Sequence, residues 1–219
     1  MQRTPNEHRV HISVGTYTLE GNLTIPKGAK GIIVFAHGSG SSRMSPRNQL
    51  VAQILSEAEY ATLLFDLLTK EEENIDNLTG EYRFDIKLLG NRLISATDWV
   101  VENKETKGLN IGYFGASTGA SAALLAAADR PEKVKAIVSR GGRPDLAKAE
   151  LGSVQAPTLL IVGGRDDTVI QMNEWAFQKL TCTKKLLIIP EATHLFEESG
   201  KLEQVANAAK EWFKEYLIP

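Results

Sequence analysis

Residues 109–121, Leu-Asn-Ile-Gly-Tyr-Phe-Gly-Ala-Ser-Thr-Gly-Ala-Ser, constrain this chain more than any other stretch. An apolar run, Ile111 to Phe114, meets Gly115-Ala116-Ser117-Thr118-Gly119 and then the alanine-rich run Ala120 to Ala128. The order reads as strand, sharp turn, helix. It fits the Gly-x-Ser-x-Gly turn, which holds a serine in a strained conformation at a strand-to-helix corner. Glycines two before and two after let neighbouring backbone approach where a Cβ would clash. The following helix brings its free N–H groups beside the serine. The pentapeptide arises by chance in about one chain in ten of this length. The decision therefore rests on whether the rest of the chain supplies a base, an acid and donors for an oxyanion.

The chain has 219 residues, 42% of them hydrophobic and 24% charged, with a formal net charge of −2. That length suits one domain over 1–219 with a substantial core. The charge gives no sign of a nucleic-acid or membrane-surface partner. No apolar run approaches a membrane span. Met1 to Arg9 is polar and lacks the apolar centre of a signal peptide. The single cysteine, Cys182, excludes an internal disulfide. Together these features point to a cytoplasmic chain.

Two strand-like runs, 8–14 and 17–25, flank Gly15-Thr16 and read as an antiparallel hairpin. His8 and His11 fall on opposite faces of that strand and make no metal pair. Gly31 to Ala36 reads as a strand buried on both faces and ends in His37-Gly38-Ser39-Gly40. Ser45 is the expected cap and Pro46 the first residue of a helix to about Ala58. Ala61 to Phe65 is the next strand. Residues 67–82, charged and long, read as either a solvated loop or a small flap over a site. Asp85 to Asn103 has the apolar spacing of an amphipathic helix. Further strands are expected at 134–139, 158–162 and 185–189, and helices at about 144–151, 170–180 and 200–217. The pattern is a hairpin followed by strand–helix units. It implies an α/β fold with a mainly parallel sheet of about seven to eight strands, helices on both faces and no large cap.

In such sheets ligands bind beyond the carboxyl ends of the strands. Here His37-Gly38-Ser39-Gly40 follows one strand, Ser117 another, and Asp166 and His194 two later ones. The order Ser, Asp, His is that of α/β hydrolases. Four motifs carry the resemblance: His-Gly-Ser-Gly at 37–40, Gly-Ala-Ser-Thr-Gly at 115–119, Gly-Gly-Arg-Asp-Asp-Thr-Val at 163–169 and Ala-Thr-His at 192–194. Over nearly its whole length the chain resembles the α/β-hydrolase superfamily, nearest to its small, dienelactone-hydrolase-like members. The namesake enzymes carry a cysteine at the elbow, where this chain has Ser117. That departure argues against a dienelactone substrate and leaves ester hydrolysis in place.

The resemblance implies a serine hydrolase acting on a small-molecule acyl substrate, with no cofactor and no metal. Ser117 would be the nucleophile, His194 its base, and Asp166 the group orienting the imidazole. Asp167 is the adjacent competitor, and the plainer reading of either aspartate is a helix cap. The oxyanion donors would be the N–H groups of Thr118 and Ser39, with Gly40 as the alternative to Ser39. His37 reads as a brace for its loop. Arg43, Arg140 and Arg143 fall in loops at the same end of the sheet. One or more would bind an anionic substrate group, or else pair with Asp66 or Asp145. Gly40, Arg43 and Arg143 complete the expected substrate-binding set.

Two other readings compete. Gly38-Ser39-Gly40 after a strand imitates a dinucleotide fold, but the third glycine is replaced by Arg43 and no Walker lysine follows. A hydrolase fold serving as a non-catalytic binding module is the second. Ester is the leading bond class, with thioester, lactone and amide behind it. A monomer or a homodimer is compatible with the sequence.

Overall fold

The structure, a computed structural model, describes residues 6–217; Met1–Pro5 of the polar N-terminal stretch lie outside them. The first two strands, β1 (Asn6–Val14) and β2 (Tyr17–Ile25), form the expected antiparallel hairpin. Then come β3 (Ile32–Ala36), α1 (Pro46–Glu57), β4 (Ala61–Phe65), α2 (Lys70–Thr79) and α3 (Ile86–Glu102). The elbow joins β5 (Ile111–Ala116) to α4 (Thr118–Asp129). The chain ends in β6 (Val134–Arg140), β7 (Thr158–Gly163), α5 (Asp167–Lys179), β8 (Lys184–Ile189) and α6 (Lys201–Tyr216).

The eight strands form one sheet in the order β1-β2-β4-β3-β5-β6-β7-β8. The hairpin joins through an antiparallel β2–β4 contact, and every pair from β4 to β8 is parallel. Strands β3, β4, β5 and β7 are buried at every residue. That burial explains why they are continuous apolar runs rather than alternating ones. One core layer lies under α3, α4 and α5, and the other under α1 and α6. No helix among the described residues is long and apolar enough to cross a membrane.

Local chemistry sets the helix ends. Ser45 accepts the Asn48 N–H with Pro46 at the first position of α1, and Asp85 caps α3 through the Leu88 N–H. On α6, Leu202, Val205, Ala209, Trp212 and Phe213 are buried as their spacing requires.

Two expectations need correction. Residues 67–82 are not a loop: they carry α2, opened by a full capping box between Thr69 and Glu72 and closed by Gly80 in the left-handed region. The helix is also tied down. Glu72 pairs with buried Arg92 at 2.6 Å. Asp76, 3% exposed, accepts the N–H groups of Tyr82 and Arg83 and the Arg83 Nε–H. The helix expected at 144–151 is two short 3-10 turns, Pro144–Ala147 and Leu151–Ser153.

Candidate active site

Ser117 sits at φ 51°, ψ −120°, a positive φ that L residues rarely adopt. Serine is a favoured helix cap, yet the Ser117 side chain makes no capping bond. The hydroxyl is thus not spent on the cap that its sequence position offers. The strain is held by backbone on both sides. The Ser117 N–H donates to Arg140 O and the Arg143 N–H donates to Ser117 O, each at 3.1 Å.

The two motif glycines are required by close approach. A Cβ on Gly115 would lie 2.5 Å from Ala120 Cα. One on Gly119 would lie 2.1 Å from Ala36 O and 2.4 Å from His37 O. The start of α4 therefore packs directly on the end of β3, and brings the 37–40 loop to the serine.

Asp166 follows β7 and His194 follows β8. The structure brings them together: His194 Nδ1 lies 2.6 Å from Asp166 Oδ2. Asp166 occupies the cap position of α5 but makes no capping bond, so its carboxylate is committed to the histidine. The adjacent Asp167 is exposed in the first turn of α5. The loop carrying His194 is pinned by Glu198, which accepts the Thr193 N–H at 3.0 Å. That bond holds the Glu198 carboxyl below the usual range.

Ser39 and Thr118 face each other. Their hydroxyls are 3.1 Å apart, and the Ser39 hydroxyl also donates to Arg83 O at 3.2 Å. The N–H groups of both residues are left without a partner among the described residues. A cleft over them is lined by His37, Gly40, Leu67, Leu68, Asn77 and Leu89. Gly40, at φ 64°, turns the loop at its rim. Buried His37 ties this loop to the chain after β4: Nδ1 lies 2.9 Å from Gly38 O, and Nε2 accepts the Leu67 N–H at 3.0 Å. Nδ1 therefore carries the proton, and burial lowers the pKa of the ring.

The arginines divide. Arg43 is taken up by Asp66 and Glu20. Arg143 makes a two-pronged pair with Asp145, at 2.9 and 2.8 Å. Both guanidinium groups are thus held by the chain's own carboxylates, the alternative that the sequence left open. Arg143 matters here through its backbone, which grips the elbow. That clamp and the Glu198 prop were missed from sequence, where neither has a motif.

Comparison with known proteins gives the family and the fold. The model of the dienelactone hydrolase family matches residues 19–217. This chain belongs to the dienelactone hydrolase family. The crystal structure of a dienelactone hydrolase from Anabaena variabilis is 61% identical, with a TM-score of 0.97 over 98% of this chain and 100% of that one. Est1E from Butyrivibrio proteoclasticus shares the fold at 17% identity, with a TM-score of 0.80 over 94% of this chain and 98% of its own. Membership of the family and its α/β-hydrolase fold support a hydrolase. Proteins from two Mycobacterium tuberculosis strains, provisionally named phosphoribosyl transferases, are 55% identical over 96% of this chain. The chain spans about half the length of these curated relatives, 47% of each.

Proposed function

We propose that this member of the dienelactone hydrolase family is a serine hydrolase that cleaves a carboxylic ester through an acyl-enzyme. The observation that carries the reading is the 2.6 Å contact between His194 and Asp166 at the sheet end that also holds the strained, uncapped Ser117.

The steps follow from the chemistry of these groups. The Ser117 hydroxyl attacks the acyl carbon and gives its proton to His194 Nε2. Asp166 accepts the Nδ1–H, fixing the tautomer and stabilising the imidazolium. The oxyanion of the tetrahedral intermediate receives the N–H groups of Ser39 and Thr118; losing one such donor typically costs about 100- to 1000-fold in turnover. Collapse breaks the bond to the leaving alkoxide, which takes the proton from His194. Water then attacks the acyl-enzyme with His194 as base, and Ser117 regains its proton. Thioester, lactone and amide cleavage would use the same groups. The phosphoribosyl-transferase name belongs to proteins about twice as long, and we carry no such transfer to this chain.

The test is turnover of p-nitrophenyl acetate and butyrate by wild type and Ser117→Ala, with fluorophosphonate labelling in parallel. Turnover and labelling that vanish in the variant support the proposal. Folded wild type that neither labels nor turns over would leave a non-catalytic binding module as the better account.

A further inference from the structure

Arg140 ends β6, is 7% exposed, and is treated unlike its neighbours. Arg43, Arg47 and Arg143 each pair with a carboxylate. Among the described residues no carboxylate lies within salt-bridge distance of Arg140. Its one contact is long: Nη2 to Asn48 Oδ1 at 3.4 Å. Its Nε is buried with no partner, and so is that of Arg47. Buried charges in proteins are normally paired, because an uncompensated one is costly. Burial, reinforced by the like charge of Arg47, pushes the guanidinium down to about 10, so it is still a cation at neutral pH.

Its position gives this charge a purpose. Arg140 is the register partner of Ala116, the residue before Ser117. Its carbonyl accepts the Ser117 N–H. The next residue, Gly141, lies against His194: a Cβ there would be 3.4 Å from His194 Cε1. Asn48 and Arg47 stand in the first turn of α1, where the helix dipole adds further positive potential.

We propose that Arg140, with Asn48, forms an anion subsite that takes a carboxylate or phosphate group carried by the substrate. Arg47, itself paired with Glu197, adds only its positive potential. The planar fork of the guanidinium suits either oxyanion. That the anion belongs to a substrate rests on the hydrolase reading above; the anion subsite itself does not.

Two measurements separate them. The first is thermal stability of the wild type, Arg140→Met and Asn48→Asp in separate titrations of inorganic phosphate and succinate. Asn48→Asp places an internal carboxylate beside Arg140, so it covers the case in which Arg140→Met fails to fold. The proposal expects one or both anions to raise the melting temperature of the wild type and of neither variant. The second is the ratio of kcat/KM for p-nitrophenyl hemisuccinate over p-nitrophenyl butyrate. That ratio should fall about 10- to 100-fold in the variants, the loss expected for a hydrogen bond to a charged group. A wild type indifferent to both anions, or variants stabilised as much as the wild type, overturns the subsite. If the anions act on Arg140 but no ester is turned over and no serine is labelled, the hydrolase reading fails and the subsite stands. A response to phosphate alone, or to succinate alone, identifies the group recognised.

Discussion

The hydroxyls of Ser39 and Thr118 meet at 3.1 Å, joining the loop after β3 to the first residue of α4. This contact sets the spacing of the two N–H groups that the proposed mechanism aims at the oxyanion. Thr118→Val keeps the N–H and removes the tie. A neutral hydrogen bond contributes about 0.5–1.5 kcal/mol, so kcat on p-nitrophenyl acetate should fall about 3- to 10-fold. A loss beyond about 1000-fold would mean that the hydroxyl itself acts on the oxyanion.

The adjacent aspartates should behave differently. Asp166→Asn preserves shape but disturbs the tautomer and charge support of His194, and kcat should fall about 10,000-fold. Asp167→Asn removes an exposed first-turn charge and should cost about 0.3–1 kcal/mol of stability with little change in turnover. Steady-state kinetics on both variants decides. Equal losses would remove Asp166 from the triad.

His37 makes stability depend on pH. Burial lowers its pKa, against a backbone bond to Gly38 and the Asp66 and Glu73 carboxylates, which raise it. On acidification the unfolded chain gains this proton near its ordinary value, about 6.5, before the folded chain does. The contribution of His37 is full above about pH 6.5 and is lost as pH falls towards the folded value, by at most about 1.4 kcal/mol per pH unit. Urea melts between about pH 7.5 and about pH 5.5 should show a shallower decline for His37→Gln than for wild type. Equal slopes would place the titration elsewhere.

Gly119→Ala tests the close packing of the elbow. Its Cβ would meet the carbonyl oxygens of Ala36 and His37 at 2.1 and 2.4 Å, both backbone atoms with little freedom to retreat. Overpacking of this kind costs about 1–3 kcal/mol or more. Calorimetry should show a lower melting temperature, and fluorophosphonate labelling should slow as the serine shifts. A variant as stable and reactive as wild type would contradict the packing described.

Glu72 serves two groups at once, capping α2 through the Thr69 N–H and pairing with buried Arg92. Glu72→Ala leaves that arginine buried and unpaired and should cost about 3–5 kcal/mol. Glu72→Gln retains a capping acceptor and should cost less. Chemical denaturation of both variants measures the difference; equal costs would mean that the capping acceptor contributes nothing beyond the charge pair.

Most of the fold was legible because strand and helix signals are local. Apolar runs, capping residues and elbow glycines each declare themselves within a few positions, and the site residues fall where those elements end. Helix α2 escaped notice because Asp76 is its single buried residue, so it has no apolar stripe. Its signal was the Thr69-x-x-Glu72 capping box. The fates of Arg43 and Arg143 were open in the sequence because an ion pair is a fact of three dimensions. Glu20 and Asp66 reach Arg43 from β2 and from the chain after β4. The grip of the Arg140 and Arg143 backbone on Ser117 leaves no trace in residue identity.

The residues of the proposed triad are anchored unequally. Ser117 follows a central strand with all six residues buried, whereas His194 follows the edge strand β8, with one buried of six. Regions of a fold open with different free energies, and margins open first. Mild denaturant would therefore let the base drift while the serine stays in place. Such a chain would fall silent by misalignment, with most of its structure intact, and would recover as soon as the sheet's last strand closed again.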